Sequence, residues 1–293
     1  MKNERLLAIS EILGAMVIFG TIGVFRRHLP FSSGLIALAR GLIGVLFLLC
    51  VLLVRGRHLS FAAIKKNLLI LLISGALIGF NWILLFEAYR YTSVATATLC
   101  YYMAPVFVII ASPFFLKERM TVKKAIVAVT ALVGMVLVSD ILSTGIQEVS
   151  EIRGILLGLG AAVLYASVII LNKKLKDISS YDRTTVQLGA SFIVLLPYVI
   201  ITENVSDIKI AVPTVLLLVL VGIVHTGIAY AMYFSSMEKL PAQTVAIFSY
   251  LDPILAVLLS AIILHEKMSV LGVIGAVLIL GATLLGELPS TKK

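Results

Sequence analysis

Two stretches of this chain are versions of one sequence, 148 residues apart and aligned without a gap. The first runs from Trp82 to Thr121 and the second from Tyr230 to Ser269. The offset places identical residues on each other at Gly79 and Gly227, Pro105 and Pro253, Leu116 and Leu264, Glu118 and Glu266, and Met120 and Met268. A repeat of this kind inside an apolar chain is expected of a secondary transporter whose two halves enclose a site near the membrane midplane.

The composition indicates a membrane protein. Hydrophobic residues make up 60% of the 293 residues and charged residues 13%, and the mean hydropathy is +1.11. Soluble domains carry about 25% charged residues, so this surface must face something other than water. The net charge of +9 comes from residues in short segments between apolar runs, which disfavours nucleic acid as a partner and favours a topology signal.

The chain shows no motif for a cofactor, a metal or a nucleotide. No GxGxxG, Walker loop, HExxH or zinc-ligand spacing occurs, so no cofactor is predicted and no nucleotide domain is predicted to power transport. Cys50 and Cys100 lie in apolar runs without ligand spacing and imply no disulfide.

Apolar runs of about 20 residues predict ten membrane spans and an all-α integral membrane fold. The first span has no small-residue cleavage site, so it is predicted to be an anchor and not a removed signal peptide. The predicted spans are 6–25, 34–54, 68–89, 93–116, 122–141, 152–172, 184–203, 211–234, 242–264 and 269–287.

The basic residues predict an orientation. With the N-terminus inside, seventeen lysines and arginines fall on inner segments and six on outer ones, so both termini are predicted to be cytoplasmic. Five spans per repeat would make the second repeat enter the membrane upside down. The loop sequences agree with this: "LKERMTVKK" has four basic residues and its repeat counterpart "LHEKMS" has one. The sequence therefore predicts two inverted-topology five-helix repeats.

At this level of detail the sequence resembles the EamA domains of the drug/metabolite transporter superfamily. The similar segments are "EAYRYTSVATATLCYYMAPVFVIIASPFFLKERMT" in the first copy and "LDPILAVLLSAIILHEKMS" in the second, where Asp252 stands in place of the usual glutamate. Arg40 also matches an arginine common in first copies. The resemblance implies a ten-helix basket that moves small metabolites and often exports amino acids, with the first repeat at 1–143 and the second at 144–293.

The chain departs from the family pattern where a tryptophan often precedes a small pair in spans one and six. It has Phe19-Gly20-Thr21 and Tyr165-Ala166-Ser167 there. A substrate cannot be transferred from the tryptophan-bearing members on this basis.

Ionisable residues inside predicted spans are the first candidates for function, because charge in the hydrocarbon is expensive. Asp252 lies near the midplane of span nine beside Pro253 and could bind a substrate ammonium or carry a coupling proton; a helix–helix hydrogen bond is the alternative. His225 lies at a similar depth in span eight and is predicted either to relay protons or to pack. Arg40 either snorkels and pairs structurally or binds a substrate carboxylate. Glu11, near the inner end of span one, is expected to snorkel or to form a salt bridge.

Aromatic and hydroxyl side chains form the second group of candidates. They recur at helical spacing and suit a cavity for a partly apolar zwitterion or an organic cation. Tyr89, Tyr91 and Tyr233 are instead expected in the interfacial belt. The predicted cavity residues are Trp82, Thr98, Tyr101, Tyr102, Tyr165, Tyr230 and Ser249, and Pro105 and Pro253 are predicted helix kinks. Glu118 and Glu266 close spans four and nine, where a metal or gating role is one interpretation; pairing with a neighbouring lysine or arginine, or capping of the following helix start, is the one favoured.

The sequence therefore predicts a secondary-active transporter in the plasma membrane that works by alternating access. The partners it implies are the lipid bilayer, a small-molecule substrate and a coupling proton, and the oligomeric state is left open. Export of amino acids or related zwitterions is favoured, and import of sugar-, nucleotide- or quaternary-ammonium-type solutes is the alternative. An intramembrane enzyme is a remote alternative, since no paired acid–base set occurs.

Overall fold

The computed structural model describes residues 2–117, 120–138, 149–203, 211–240, 245 and 248–287, and in these residues the regular structure is helical throughout. The first half contains α1 Lys2–Gly20, α2 Ile22–His28, α3 Ser33–Val54, α4 Phe61–Tyr91, α5 Val94–Tyr101, α6 Ala104–Phe115 and α7 Val122–Val138. The second half contains α8 Val149–Asn172, α9 Ser180–Thr202, α10 Val212–Val221, a π-helical segment Gly222–Ile228, α11 Ala229–Lys239, α12 Leu251–Ile262 and α13 Val270–Glu287.

Seven helical stretches within the described residues are long and apolar enough to cross a membrane, and two shorter apolar helices, Leu251–Ile262 and Val270–Ala282, follow them. The outer surface of the bundle agrees with this, because Phe61, Phe114 and Ile201 each expose more than three quarters of their side-chain surface. On helices of this length, an apolar outer surface is expected to face lipid. The protein is therefore a multi-pass membrane protein. The seven spanning stretches are Glu4–His28, Ser33–Val54, Phe61–Tyr91, Val94–Phe115, Ser150–Asn172, Ser180–Thr202 and Val212–Met237.

Serine residues set the start of three helices. The hydroxyls of Ser32, Ser93 and Ser179 accept hydrogen bonds from the amides of Leu35, Thr96 and Asp182, at 2.9 to 3.1 Å. Each serine has extended backbone angles and satisfies an amide that the first turn leaves without a partner.

Three of the predicted spans are interrupted. Predicted span one breaks at Thr21 between α1 and α2, and predicted span four breaks at Tyr102 and Met103 between α5 and α6. Predicted span eight contains the π-helical turn from Gly222 to Ile228. Irregular backbone at membrane depth leaves polar groups unpaired and is tolerated where it is buried in protein or lines a cavity, and π-helical turns frequently mark functional sites. The interruptions therefore direct attention to the interior of the bundle.

Close backbone contacts between helices depend on glycine. A Cβ atom on Gly75 of α4 would lie 2.5 Å from the carbonyl oxygen of Gln187 on α9. Gly134 of α7 and Gly275 of α13 face each other in the same way, with each carbonyl oxygen inside 3 Å of the other's hypothetical Cβ. Small residues let membrane helices approach this closely.

Buried polar side chains join the same helices. The amide nitrogen of Gln187 donates to Ser74 on α4 and to Asn172 on α8, both at 2.7 Å, and Asn81 donates to the carbonyl of Ala161 at 2.5 Å. These bonds hold α4 of the first half against α8 and α9 of the second half, and so fix the frame around the candidate site.

Candidate functional site

Arg40 is a buried cation in the interior of the bundle. Only 5% of its surface is exposed, and its guanidinium carbon lies 4.3 Å from the centroid of the Trp82 ring and 5.3 Å from that of Phe86. Its Nε donates to the hydroxyl of Thr226 in the π-helical segment at 2.9 Å. Arg40 does not reach the surface of the bundle, because the rings of α4 cover its guanidinium.

No carboxylate among the described residues bonds to Arg40. Its contacts in the described part of the chain are the two rings and the Thr226 hydroxyl. A guanidinium has five N–H donors, and only one of them is used in a bond to a described residue. The remaining donors can form the two parallel bonds that a carboxylate accepts.

Asp252 lies in the first turn of α12, beside Pro253. The hydroxyl of Tyr102 donates to its carboxylate at 2.6 Å. Tyr102 occupies the interruption between α5 and α6, and Pro105 lies in the first turn after that interruption. A carboxylate at a helix start is favoured by the helix dipole. The start of α12 and the break between α5 and α6 thus place an acid and a hydroxyl next to each other.

Tyrosine rings connect these two groups. Tyr101 packs edge-on against Tyr102 at 5.9 Å and lies 5.4 Å from Tyr165 of α8. Tyr230 of α11 lies 5.4 Å from Phe19 and within electrostatic range of both Arg40 and Asp252. Tyr165 keeps 39% of its surface exposed although its ring packs against Tyr101. The predicted cavity residues Trp82, Tyr101, Tyr102, Tyr165 and Tyr230 therefore do come together.

The remaining hydroxyl candidates lie at the edge of this group. Thr98 is turned toward Tyr89, with 3.2 Å between the two oxygens. Ser249 donates to the carbonyl of Val245 at 2.9 Å. Tyr89, which was expected in the interfacial belt, is only 3% exposed and belongs to the interior.

His225 does not face Asp252. Its Nε2 lies 2.9 Å from the hydroxyl of Thr21, and its ring packs edge-on against Phe25 at 4.8 Å. Because the Thr21 hydroxyl gives its hydrogen to the carbonyl of Ile18 at 2.7 Å, the imidazole must donate through Nε2. Its Nδ1 is then a buried acceptor, with no partner among the described residues. The contact joins the interruption at Thr21 to the π-helical segment.

Glu11 forms the expected salt bridge. Its carboxylate lies 3.5 Å from the ammonium of Lys239 on α11 and accepts a hydrogen bond from Ser235 at 3.1 Å. Of the other two predicted glutamates, Glu118 lies outside the described residues.

Arg183 is one of the seventeen basic residues on the predicted inner segments. The structure places it in the first turn of α9, within electrostatic range of Tyr165 and Tyr233. Its Nε is buried without a hydrogen-bond partner in the described part of the chain. The run "YDRTTVQ" at the start of a predicted span is unusually polar, and this signal could have identified the residue.

The arrangement has the chemistry of a recognition site. It offers a cation with free donors, a carboxylate and aromatic walls, and among the described residues no three histidine, cysteine or acidic side chains gather as metal ligands would. A small molecule that carries a carboxylate, an ammonium and an apolar part matches these groups.

Comparison with known proteins agrees with the fold. The model of the EamA-like transporter family matches residues 6–140 and again residues 152–286. The chain is 29% identical to the uncharacterized transporter YxxF of Bacillus subtilis (strain 168) over 95% of this chain and 88% of that one. It is 26% identical to the uncharacterized transporter YetK of the same organism, over 94% and 83% of the two chains.

A solved crystal structure shares the fold, with a TM-score of 0.66 and 19% sequence identity, and covers 97% of this chain and 96% of the other. With the double family match and the membrane-spanning helices, the chain belongs to the EamA-like transporter family of the drug/metabolite transporter superfamily.

Proposed function

We propose that this protein is a secondary-active transporter that exports amino acids or related small zwitterions across the plasma membrane by alternating access. The observation that carries the proposal is Arg40, a buried cation that no described carboxylate neutralises. Burying an uncompensated charge is unfavourable, so a residue of this kind is best explained by a partner that arrives with the substrate.

The substrate's two charges would be met on different helices. Its carboxylate would bind the free donors of Arg40 on α3, and its ammonium would replace the Tyr102 hydroxyl as the partner of Asp252 on α12. The rings of Trp82, Tyr101 and Tyr230 would contact the apolar part. Arg40 and Asp252 belong to different halves of the chain, so a bound zwitterion would bridge them.

The proposed architecture is ten spans in two inverted repeats, 1–143 and 144–293, with both termini in the cytoplasm. The double match of the family model and the opposite charge bias of corresponding loops support it. Rocking of the halves around the central site would expose that site to each side in turn. A proton carried by Asp252 would couple the movement to the proton gradient.

A substrate panel tests this function. The purified protein is reconstituted into liposomes that are loaded with one labelled solute: phenylalanine, leucine, serine, choline or glucose. Efflux of the solute is then followed with and without a pH gradient. We expect efflux of one or more amino acids. Transport of choline or glucose alone would support the alternative class of solutes and contradict the zwitterion proposal.

Trp82 gives a local readout of binding, because it is the only tryptophan in the chain and lies against Arg40. Titration of the transported amino acid should change its fluorescence. In Arg40→Gln, and also in Arg40→Lys, we expect binding at least about ten-fold weaker, because an ammonium cannot reproduce the planar donor pair or the stacking. Arg5→Gln, which changes an exposed arginine at the start of α1, is the matched control. Unchanged affinity in both Arg40 variants would remove Arg40 from the binding site.

A further inference from the structure

The carboxylate of Glu266 connects the two halves of the chain at one end of the bundle. One oxygen accepts from Arg27 of α2 at 2.6 Å, and the other accepts from the backbone amide of Val94, the first residue of α5, at 2.8 Å. The hydroxyl of Ser260 on α12 donates to the same second oxygen. Arg27 also donates to the carbonyl of Thr92 at 3.0 Å. One acid thus holds α2, the turn between α4 and α5, and the end of α12.

This contact differs from an ordinary surface ion pair. Glu266 keeps only 17% of its side-chain surface exposed, and three donors converge on it. Exposed pairs contribute little to stability, whereas a carboxylate with several charge-assisted or backbone hydrogen bonds is held firmly.

Tightly packed side chains lie beneath the contact. A Cβ atom on Gly23 of α2 would lie 2.2 Å from the side chain of Val94, and Leu29, Phe31 and Val94 are each less than 8% exposed. One turn further into the bundle, a Cβ on Gly20 would lie 2.9 Å from the carbonyl oxygen of Asp252. These close contacts fill the space between this end of the bundle and Asp252.

We propose that Glu266 is the latch of a gate that closes this end of the transport path, the outer end in the predicted orientation. The inference rests on the proposed alternating access. When the halves rock apart here, α2 and α5 must separate from α12, and each bond to Glu266 that crosses that boundary must break. When the bonds to Glu266 break, the outer end opens. When Arg27 and the Val94 amide bind Glu266 again, the outer end closes and the substrate site becomes accessible from the inner side.

The test measures access from outside to a cysteine behind the latch. Thr98→Cys is placed in a chain that also carries Cys50→Ser and Cys100→Ser, and an impermeant maleimide is added to intact cells. In this background labelling should be slow. Glu266→Gln and Arg27→Gln should each speed labelling on the order of ten-fold, since removing one partner of a hydrogen-bonded charge pair shifts an equilibrium by at least that factor.

A carboxylate at the same end provides the matched control. Glu87 accepts from Ser33 at 2.7 Å and from Arg90 at 3.2 Å, and both partners belong to the first half of the chain. Glu87→Gln should change the labelling rate less than two-fold or so. Equal acceleration by Glu87→Gln and Glu266→Gln would indicate general loosening and would overturn the latch.

A charge exchange provides the second readout. Arg27→Glu alone should speed labelling, and adding Glu266→Arg should return part of the slow rate, because the ion pair is restored in reverse while an arginine cannot accept from the Val94 amide. Labelling of both Glu266→Gln and Arg27→Gln at the parental rate would also overturn the proposal. If the panel shows no transport while the latch variants accelerate labelling, the proposed substrate class fails and the latch stands.

Discussion

Arg40 and Asp252 are charged residues of the candidate site, and their contacts differ. Asp252 has a direct partner, the hydroxyl of Tyr102, and begins a helix. Arg40 has aromatic faces and one hydroxyl, which leave most of its donors free. We therefore expect substitution of Arg40 to change ligand affinity first, and substitution of Asp252 to change coupling as well.

Asp252→Asn keeps the size and the hydrogen bond of the side chain but removes its ability to titrate. The protein should insert and fold normally, transport driven by a pH gradient should be lost, and exchange of substrate should persist. The measurement is efflux and exchange in liposomes between about pH 5.5 and 8. Loss of exchange too would make Asp252 a binding residue for the ammonium, and parental rates at every pH would leave it a packing residue.

His225→Gln serves as the comparison for this series. A glutamine at this position can still donate a hydrogen bond to the Thr21 hydroxyl, so the link between the break after α1 and the π-helical segment is kept. We expect a smaller loss of transport than in Asp252→Asn. A larger loss would indicate that the imidazole itself, and not its contact with Thr21, is required.

At the scale of elements, interruptions position the site and glycines hold the frame. The breaks at Thr21 and Tyr102 and the π-helical segment lie where the functional side chains meet. The regular helices α7 and α13 instead pack through Gly134 and Gly275, where backbone meets backbone. The first group is expected to move during transport and the second to remain a fixed support.

Gly275→Ala should destabilise the protein. The new methyl would meet the carbonyl oxygen of Gly134 at 2.4 Å, which a rigid backbone cannot avoid, and overpacking of this kind costs about 1–3 kcal/mol. Gly281→Ala on the same helix has nothing within 4 Å of its Cβ and should be neutral or slightly stabilising. Thermal unfolding in detergent measures both. If Gly275→Ala and Gly281→Ala have the same melting temperature, the close backbone contact between Gly134 and Gly275 is contradicted.

At the scale of the whole molecule, the two halves are expected to cross the membrane in opposite senses. The structure shows how they are joined: α4 packs against α8 and α9, and Gln187 bonds to Ser74 and Asn172. These contacts lie in the interior of the bundle.

Single cysteines test the inverted arrangement. Gln147 and Asp207 lie outside the described residues and in predicted outer segments. A cysteine placed at either position should react with an impermeant thiol reagent added from outside. Ser60→Cys and Ser179→Cys should react only after permeabilisation, because both begin helices at the predicted inner end. Labelling of Ser179→Cys in intact cells would overturn the inverted repeat, and Ser60→Cys controls for leakage.

Local signals in the sequence were sufficient for the membrane class, the family and most of the residues at the centre. Apolar runs and the repeat predict spanning helices, because in lipid each backbone group must be paired within its own helix. The same logic selected Asp252, Arg40 and the tyrosines, since charge and hydroxyls are expensive in an apolar span.

Only the tertiary structure decided which of these residues meet. His225 and Asp252 have similar depths in the sequence, yet His225 faces Thr21 and Asp252 faces Tyr102, because the interruptions turn each helix by an amount that periodicity cannot supply. Arg40 is held inward by Trp82 and Phe86. Glu266 finds Arg27, 239 residues away, and not a neighbouring base. Distant pairings depend on how helices are rotated against each other, and that rotation is fixed by the packing of all of them together.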